Sequence, residues 1–158
     1  MPLRTARADV AFIAALLTTA EHEARGLGDP EPGAEHLLLA SLLVDDSSAR
    51  EALGVSADAV REAIRAVHAE ALASISVAAD DLTSPLPPAR GVYRSEASAR
   101  DVFQRARTLA RRSPTGLRSA HVLLATAERE HGTAARVLRQ VGVDRAAVID
   151  AARGLVGL

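Results

Sequence analysis

The chain has 158 residues, of which 48% are hydrophobic, 25% charged and 2% aromatic, and its 19 basic and 20 acidic residues leave a formal net charge of −1. That is enough chain to bury a core, and the balance argues against a general nucleic-acid binder, which gathers positive charge on one face. Every basic residue is Arg and no Cys is present, which excludes a P-loop lysine, a Schiff-base lysine, a thiol nucleophile, a zinc-thiolate site and a disulfide. Apolar content drawn mostly from Ala, Leu and Val, with two Phe, one Tyr and no Trp, suits close-packed helices better than a β-sandwich.

From the N-terminus, Met1 to Arg7 leads into a helical segment carrying Asp9, Glu21 and Glu23, with no uninterrupted apolar run of signal-peptide type. No stretch approaches the ~20 apolar residues of a membrane span. The expectation is a cytoplasmic chain without a membrane partner. Helix one is expected over residues 8–26, with Val10, Ile13, Leu16, Leu17, Ala20 and Ala24 on one apolar face. A Leu-rich second helix covers 37–43 and a short third one 47–53, stopped by Gly54. Helix four starts on Ser56, a good N-cap, and carries a stripe of Val60, Ile64, Val67, Ala71 and Ile75.

Residues 77–92, with Pro85, Pro87, Pro88 and Gly91, read as an extended linker. A fifth helix is expected from Ser95 to Arg112, its apolar face formed by Ala99, Val102, Phe103, Ala106 and Leu109. A second Leu-rich helix at 122–127, a short helix at 133–141 ended by Gly142, and a last helix capped by Asp144 complete the set. The last helix carries Val148, Ala152 and Leu155 on one stripe.

The second half repeats the first. Gly33-Ala34-Glu35-His36-Leu37-Leu38-Leu39-Ala40 matches Arg118-Ser119-Ala120-His121-Val122-Leu123-Leu124-Ala125, with the histidines 85 residues apart (121 − 36). Leu53-Gly54-Val55 matches Val141-Gly142-Val143, with the glycines 88 apart (142 − 54). Two matched segments in one order point to duplication. The expected fold is therefore all-α: eight helices in two pseudo-symmetric four-helix repeats, about 8–76 and 93–157, forming one domain over 1–158. Each repeat would be only marginally stable by itself, so the two should pack about a pseudo-two-fold axis.

Chemistry is sparse. His22, His68 and His131 fall on polar helix faces and read as solvated, and no His-Glu-x-x-His pair or third ligand at a recognisable spacing points to a metal. His36 and His121 recur at one repeat position, as expected of a histidine bonded to nearby backbone. Asp45-Asp46 and Asp80-Asp81 read as solvated turn residues rather than an acid–base pair, and Arg111-Arg112 as a solvated face. No nucleophile elbow, Ser-x-x-Lys or Gly-rich phosphate loop occurs. The expectation is a non-enzymatic binding module with no catalytic residue, metal or cofactor.

Gly33 to Leu39 resembles the Gly-Thr-Glu-His-Ile-Leu-Leu segment of the Clp N-terminal domain, the substrate- and adaptor-binding part of ClpC-type AAA+ unfoldases. Glu23-Ala24-Arg25-Gly26-Leu27 is similar to that family's Glu-Ala-Arg-x-Leu, and Ala134 to Val143 follows its Ala-(Ala/Arg)-x-x-Leu-x-x-x-Gly-(Val/Ile) pattern. Together with the duplication, the resemblance spans essentially the whole chain and implies two four-helix repeats that recognise proteins or peptides. In some family members the Glu of each such segment helps bind phosphorylated arginine. Glu35 matches the first of those positions, whereas the second is Ala120, and Ala34 replaces the family's Thr. Tyr93-Arg94-Ser95-Glu96 stands where the family often has Phe-Thr-Pro-Arg. The resemblance implies that this segment, with Phe12, Ile13 and Leu16 of helix one, forms a groove for cyclic-peptide antibiotics, as in actinobacterial relatives. Without Lys there is no Walker A motif, so the implied protein is a free-standing, monomeric recognition part of the ClpC/ClpP system, acting as adaptor or as competitor. A regulatory helical protein with an unrelated partner is the alternative.

Overall fold

The computed structural model describes the backbone of residues 2–80 and 91–158 and the side chains of 6–75 and 97–158. Eight helices follow in order: α1 (Pro2–Gly26), α2 (Ala34–Leu43), α3 (Ser48–Leu53), α4 (Ala57–Asp80), α5 (Gly91–Ala110), α6 (Ser119–Ala127), α7 (Thr133–Gln140) and α8 (Arg145–Val156). No strand occurs among the described residues, and the fold is all-α.

Local chemistry explains the starts and stops. Ser56 Oγ accepts the Ala59 N–H at 3.1 Å and Asp144 Oδ1 accepts the Ala146 N–H at 3.0 Å, so α4 and α8 both begin on their expected caps. Gly54 and Gly142, which follow α3 and α7, take φ of 68° and 75°, a left-handed conformation that a Cβ disfavours. The expected linker is shorter than 77–92, because α4 runs to Asp80 and α5 begins at Gly91. No Pro or Gly interrupts the chain between Ala57 and Asp80, so nothing stops the helix there, and the prolines fall in 81–90, outside the described residues.

The centre of the molecule is α2 against α6. Every residue from Ala34 to Leu42 and from Ser119 to Ala127 is buried, as fits helices that are apolar all round. Leu38 and Leu123 are each 0% exposed. Around this pair α1 packs on α2, and α5 packs on both α6 and α2. The outer helices are exchanged. α3 lies on α8 of the other repeat and α4 on α7, the reciprocal arrangement expected of a pseudo-two-fold relation.

Polar contacts cross over in the same way. Ser48 and Ser119 hydroxyls meet at 3.0 Å, Ser119 Oγ accepts the Ala49 N–H at 3.0 Å, and Ser48 Oγ accepts the Ala120 N–H at 3.0 Å. Ser98 on α5 accepts the Ala34 N–H, while Asp9 on α1 accepts the Leu117 N–H. Asp46 is not the solvated turn residue that its sequence context suggests. Its carboxylate accepts from the Ser119 N–H at 2.6 Å and from Arg118 at 2.9 Å, tying the α2–α3 turn to the start of α6. Burial opposes its charge, but these donors and Ser48 prevail and hold its pKa at about 2.

Two apolar stripes are shorter than their periodicity predicts. On α1, Ala20 and Ala24 are buried, but Val10 and Leu17 are exposed. On α4, Val60, Ile64 and Val67 are buried, whereas Ala71 and Ile75 are exposed, Ala71 on the wall of an open groove. A 24-residue helix is about 36 Å long, more than the short α2, α3 and α7 can cover.

Candidate functional site

Repeat one assembles a polar cluster at the turn between α1 and α2. Two residues past the end of α1, Gly28 takes φ 87°, and the Asp29 N–H returns to the Ala24 carbonyl at 2.9 Å, so the helix end itself fixes Asp29. Seven residues on, His36 closes a loop with Gly33: the His36 N–H donates to the Gly33 carbonyl, and the Gly33 N–H donates to His36 Nδ1 at 2.9 Å. His121 makes the same pair with Arg118, its Nδ1 accepting at 3.0 Å. Both histidines therefore cap the second helix of their repeat through backbone, as their repeated position predicts. Because Nδ1 accepts, the proton of a neutral His36 sits on Nε2.

His36 Nε2 lies 3.0 Å from Asp29 Oδ2, although neither atom has a hydrogen-bond partner in good alignment. Glu35 stands one residue before His36 in the first turn of α2 and is only 4% exposed. Across from both carboxylates is His68 of α4, with Nδ1 3.5 Å from Asp29 Oδ2 and Nε2 3.8 Å from Glu35 Oε1. His68 is thus half-buried against acids, not solvated on a polar face. The turn at residue 29 and the α2 start at residue 35 converge on α4, a meeting that no sequence spacing announces.

Electrostatics follow from these distances. Burial disfavours the Glu35 charge more than any single neighbour favours it, but His68, His36 and its own backbone N–H together prevail and keep the carboxyl below its ordinary pKa. The two carboxylates, Glu35 first, raise the pKa of His68. Burial lowers that of His36 against the pull of the same acids, which leaves this ring neutral at pH 7.

Repeat two has no counterpart. The repeat offsets place Pro114 (29 + 85), Ala120 (35 + 85) and Val156 (68 + 88) at the three cluster positions. The surroundings correspond, since Ser113 Oγ donates to the Val156 carbonyl and brings the α5–α6 turn beside α8. One repeat carries three ligating side chains where the other carries apolar ones.

A groove of about 690 Å³ opens beside the cluster, between α4, α5 and the start of α7, with Glu35 in its lining. Its walls include Ala71, Ser98, Asp101, Arg129 and Arg136. Both arginines rest in exposed pairs, Arg129 with Asp101 at 3.7 Å and Arg136 with Glu70 at 3.0 Å. A second groove of about 290 Å³ runs between α1 and the end of α5, lined by Asp9, Val10, Ile13, Arg107 and Leu117.

Of the candidate residues from sequence, Glu35 lies at the first groove and Ile13 at the second. Phe12 is half-buried against the core, and Leu16 is 0% exposed, a core residue unable to touch a ligand. Tyr93, Arg94, Ser95 and Glu96 occupy the first turns of α5, and their side chains lie outside the described residues. Sequence reasoning missed Asp29 and His68. The usable signal was the mismatch between repeats, polar at 29, 35 and 68 but apolar at 114, 120 and 156.

Compared with protein-family models, curated proteins and solved structures, the chain finds no match. No helix among the described residues is long and apolar enough to cross a membrane.

Proposed function

We propose that this chain is a non-enzymatic peptide-recognition module of Clp N-terminal-domain type, which takes an arginine-like cationic side chain at Glu35. The supporting observation is the buried, ionised carboxylate in the lining of a groove whose walls come from both repeats. A guanidinium is planar and weakly hydrated, and it suits a carboxylate in such a site better than an ammonium does. Exposed ion pairs are worth little, so Arg129 and Arg136 can leave Asp101 and Glu70 for a phosphate carried by the same peptide. With Ala120 in repeat two, one site per chain is expected. A module of this kind delivers or withholds the ligands of a ClpC-type unfoldase.

Titration of an arginine-phosphorylated peptide against wild type and Glu35→Gln tests the assignment. A hydrogen bond to a charged group contributes about 1.5–3 kcal/mol, so the variant should bind roughly tenfold or more weakly. Equal binding by both proteins, or two equivalent sites per chain, would overturn it. Pull-down with mass spectrometry then decides between partners of the Clp system and an unrelated one.

The second groove supports an accessory reading, a cyclic-peptide site. Val10 is 67% exposed and borders it together with Ile13, an apolar edge that none of the described residues buries. Val10→Asp should abolish binding of such a peptide while leaving the Glu35 site unaffected.

A further inference from the structure

We propose that Asp29, Glu35 and His68 form a site for a borderline divalent cation, zinc foremost. One ligand atom from each of the three lies within 4.8 Å of the others. Donors around tetrahedral zinc, each about 2.0–2.2 Å from the metal, sit about 3.4 Å apart. His68 meets Asp29 through Nδ1 and Glu35 through Nε2, and a single ion takes only one of those nitrogens, so side-chain shifts must bring the three donors from within 4.8 Å of one another to that spacing.

A cluster of acids often reflects nothing but solvated charge. Two observations set this one apart. The first is His36, 0% exposed, whose Nε2 lies 3.0 Å from Asp29 Oδ2 while neither of these buried atoms has a hydrogen-bond partner. A buried imidazole nitrogen beside a ligating carboxylate is a usual outer-shell feature of metal sites. His121 in repeat two also has an unpartnered Nε2, but Pro114, Ala120 and Val156 give it no carboxylate to steady. The second observation is charge: two carboxylates and an imidazole that ligates through its unprotonated nitrogen sum to −2, which a divalent cation cancels inside a partly buried pocket.

The donor set chooses among cations. Calcium takes six to eight oxygens and magnesium a near-octahedral oxygen shell, whereas an imidazole favours zinc and its neighbours. Asp29 and His68 have side chains 33% and 28% exposed, which gives the ion a way in. With His36 Nδ1 committed to Gly33, three protein donors remain, and a further coordination position is left for water.

The experiment is calorimetric titration of tag-free, chelator-stripped protein with zinc chloride, with magnesium and calcium chlorides as comparators. One zinc per chain is expected, with no saturable binding of magnesium or calcium. His68→Ala and Glu35→Gln should each weaken zinc binding at least about tenfold, while His22→Ala and His131→Ala, both at exposed positions, should leave it unchanged. Circular dichroism checks that each variant folds. If buried Glu35→Gln does not, half-buried His68→Ala and Asp29→Asn carry the decision. No binding by wild type at millimolar zinc, or binding that survives the cluster variants and falls with His22→Ala or His131→Ala, overturns the proposal. No peptide enters this titration, so its outcome is separate from that of the peptide test.

Discussion

Among single residues, the two core leucines and Asp46 place the largest demands on their surroundings. Leu38 and Leu123 sit at matched positions in α2 and α6 with no exposure, enclosed by helices that cannot all move inward at once. Leu38→Ala and Leu123→Ala should each lower stability by about 2–5 kcal/mol, measured by denaturant unfolding. A loss below about 1 kcal/mol at both would mean that the packing around them is wrong. Asp46 makes a prediction about pH. Its pKa falls from 3.8 to about 2 on folding, so its contribution is present above pH 4 and disappears as pH drops through 2. The shift corresponds to about 2 kcal/mol. Asp46→Asn should therefore lie below wild type at pH 7, and the two stability curves should converge near pH 2. A gap that ignores pH would show that the carboxylate charge is not what the Ser119 and Arg118 donors recognise.

At the scale of elements, helix boundaries were legible wherever one residue causes them. Ser56 and Asp144 could be read as caps because a side-chain oxygen there has one natural donor. Ser56→Ala and Asp144→Ala should each cost about 1 kcal/mol in chemical denaturation, and no measurable loss at either would remove the capping account. Where neighbours decide, the reading overran. Ala71 and Ile75 continue the α4 stripe in register yet are exposed, because whether a stripe is covered depends on the neighbouring helices and not on α4. The linker was overlong for the opposite reason: its prolines mark a break without saying how far flanking helices extend toward it. The candidate site divides similarly. Glu35 was legible because it belongs to a contiguous segment, while Asp29 and His68 acquire their meaning only from a turn and a helix brought together by packing. Leu16 shows the converse error, since a residue on the correct helix faces the core and not the groove.

At the scale of the molecule, the exchange of α3 and α7 onto the other repeat's fourth helix has a temporal consequence. Between the end of α3 at Leu53 and the start of α8 at Arg145 lie 92 residues of chain position (145 − 53). Such distant partners must close a long loop before any contact rewards it, which slows folding relative to bundles built from local hairpins. During synthesis at about 5–20 residues per second, the face of α3 waits several seconds for the helix that covers it. Repeat one therefore leaves the ribosome with an apolar surface still open until the second repeat arrives to cover it.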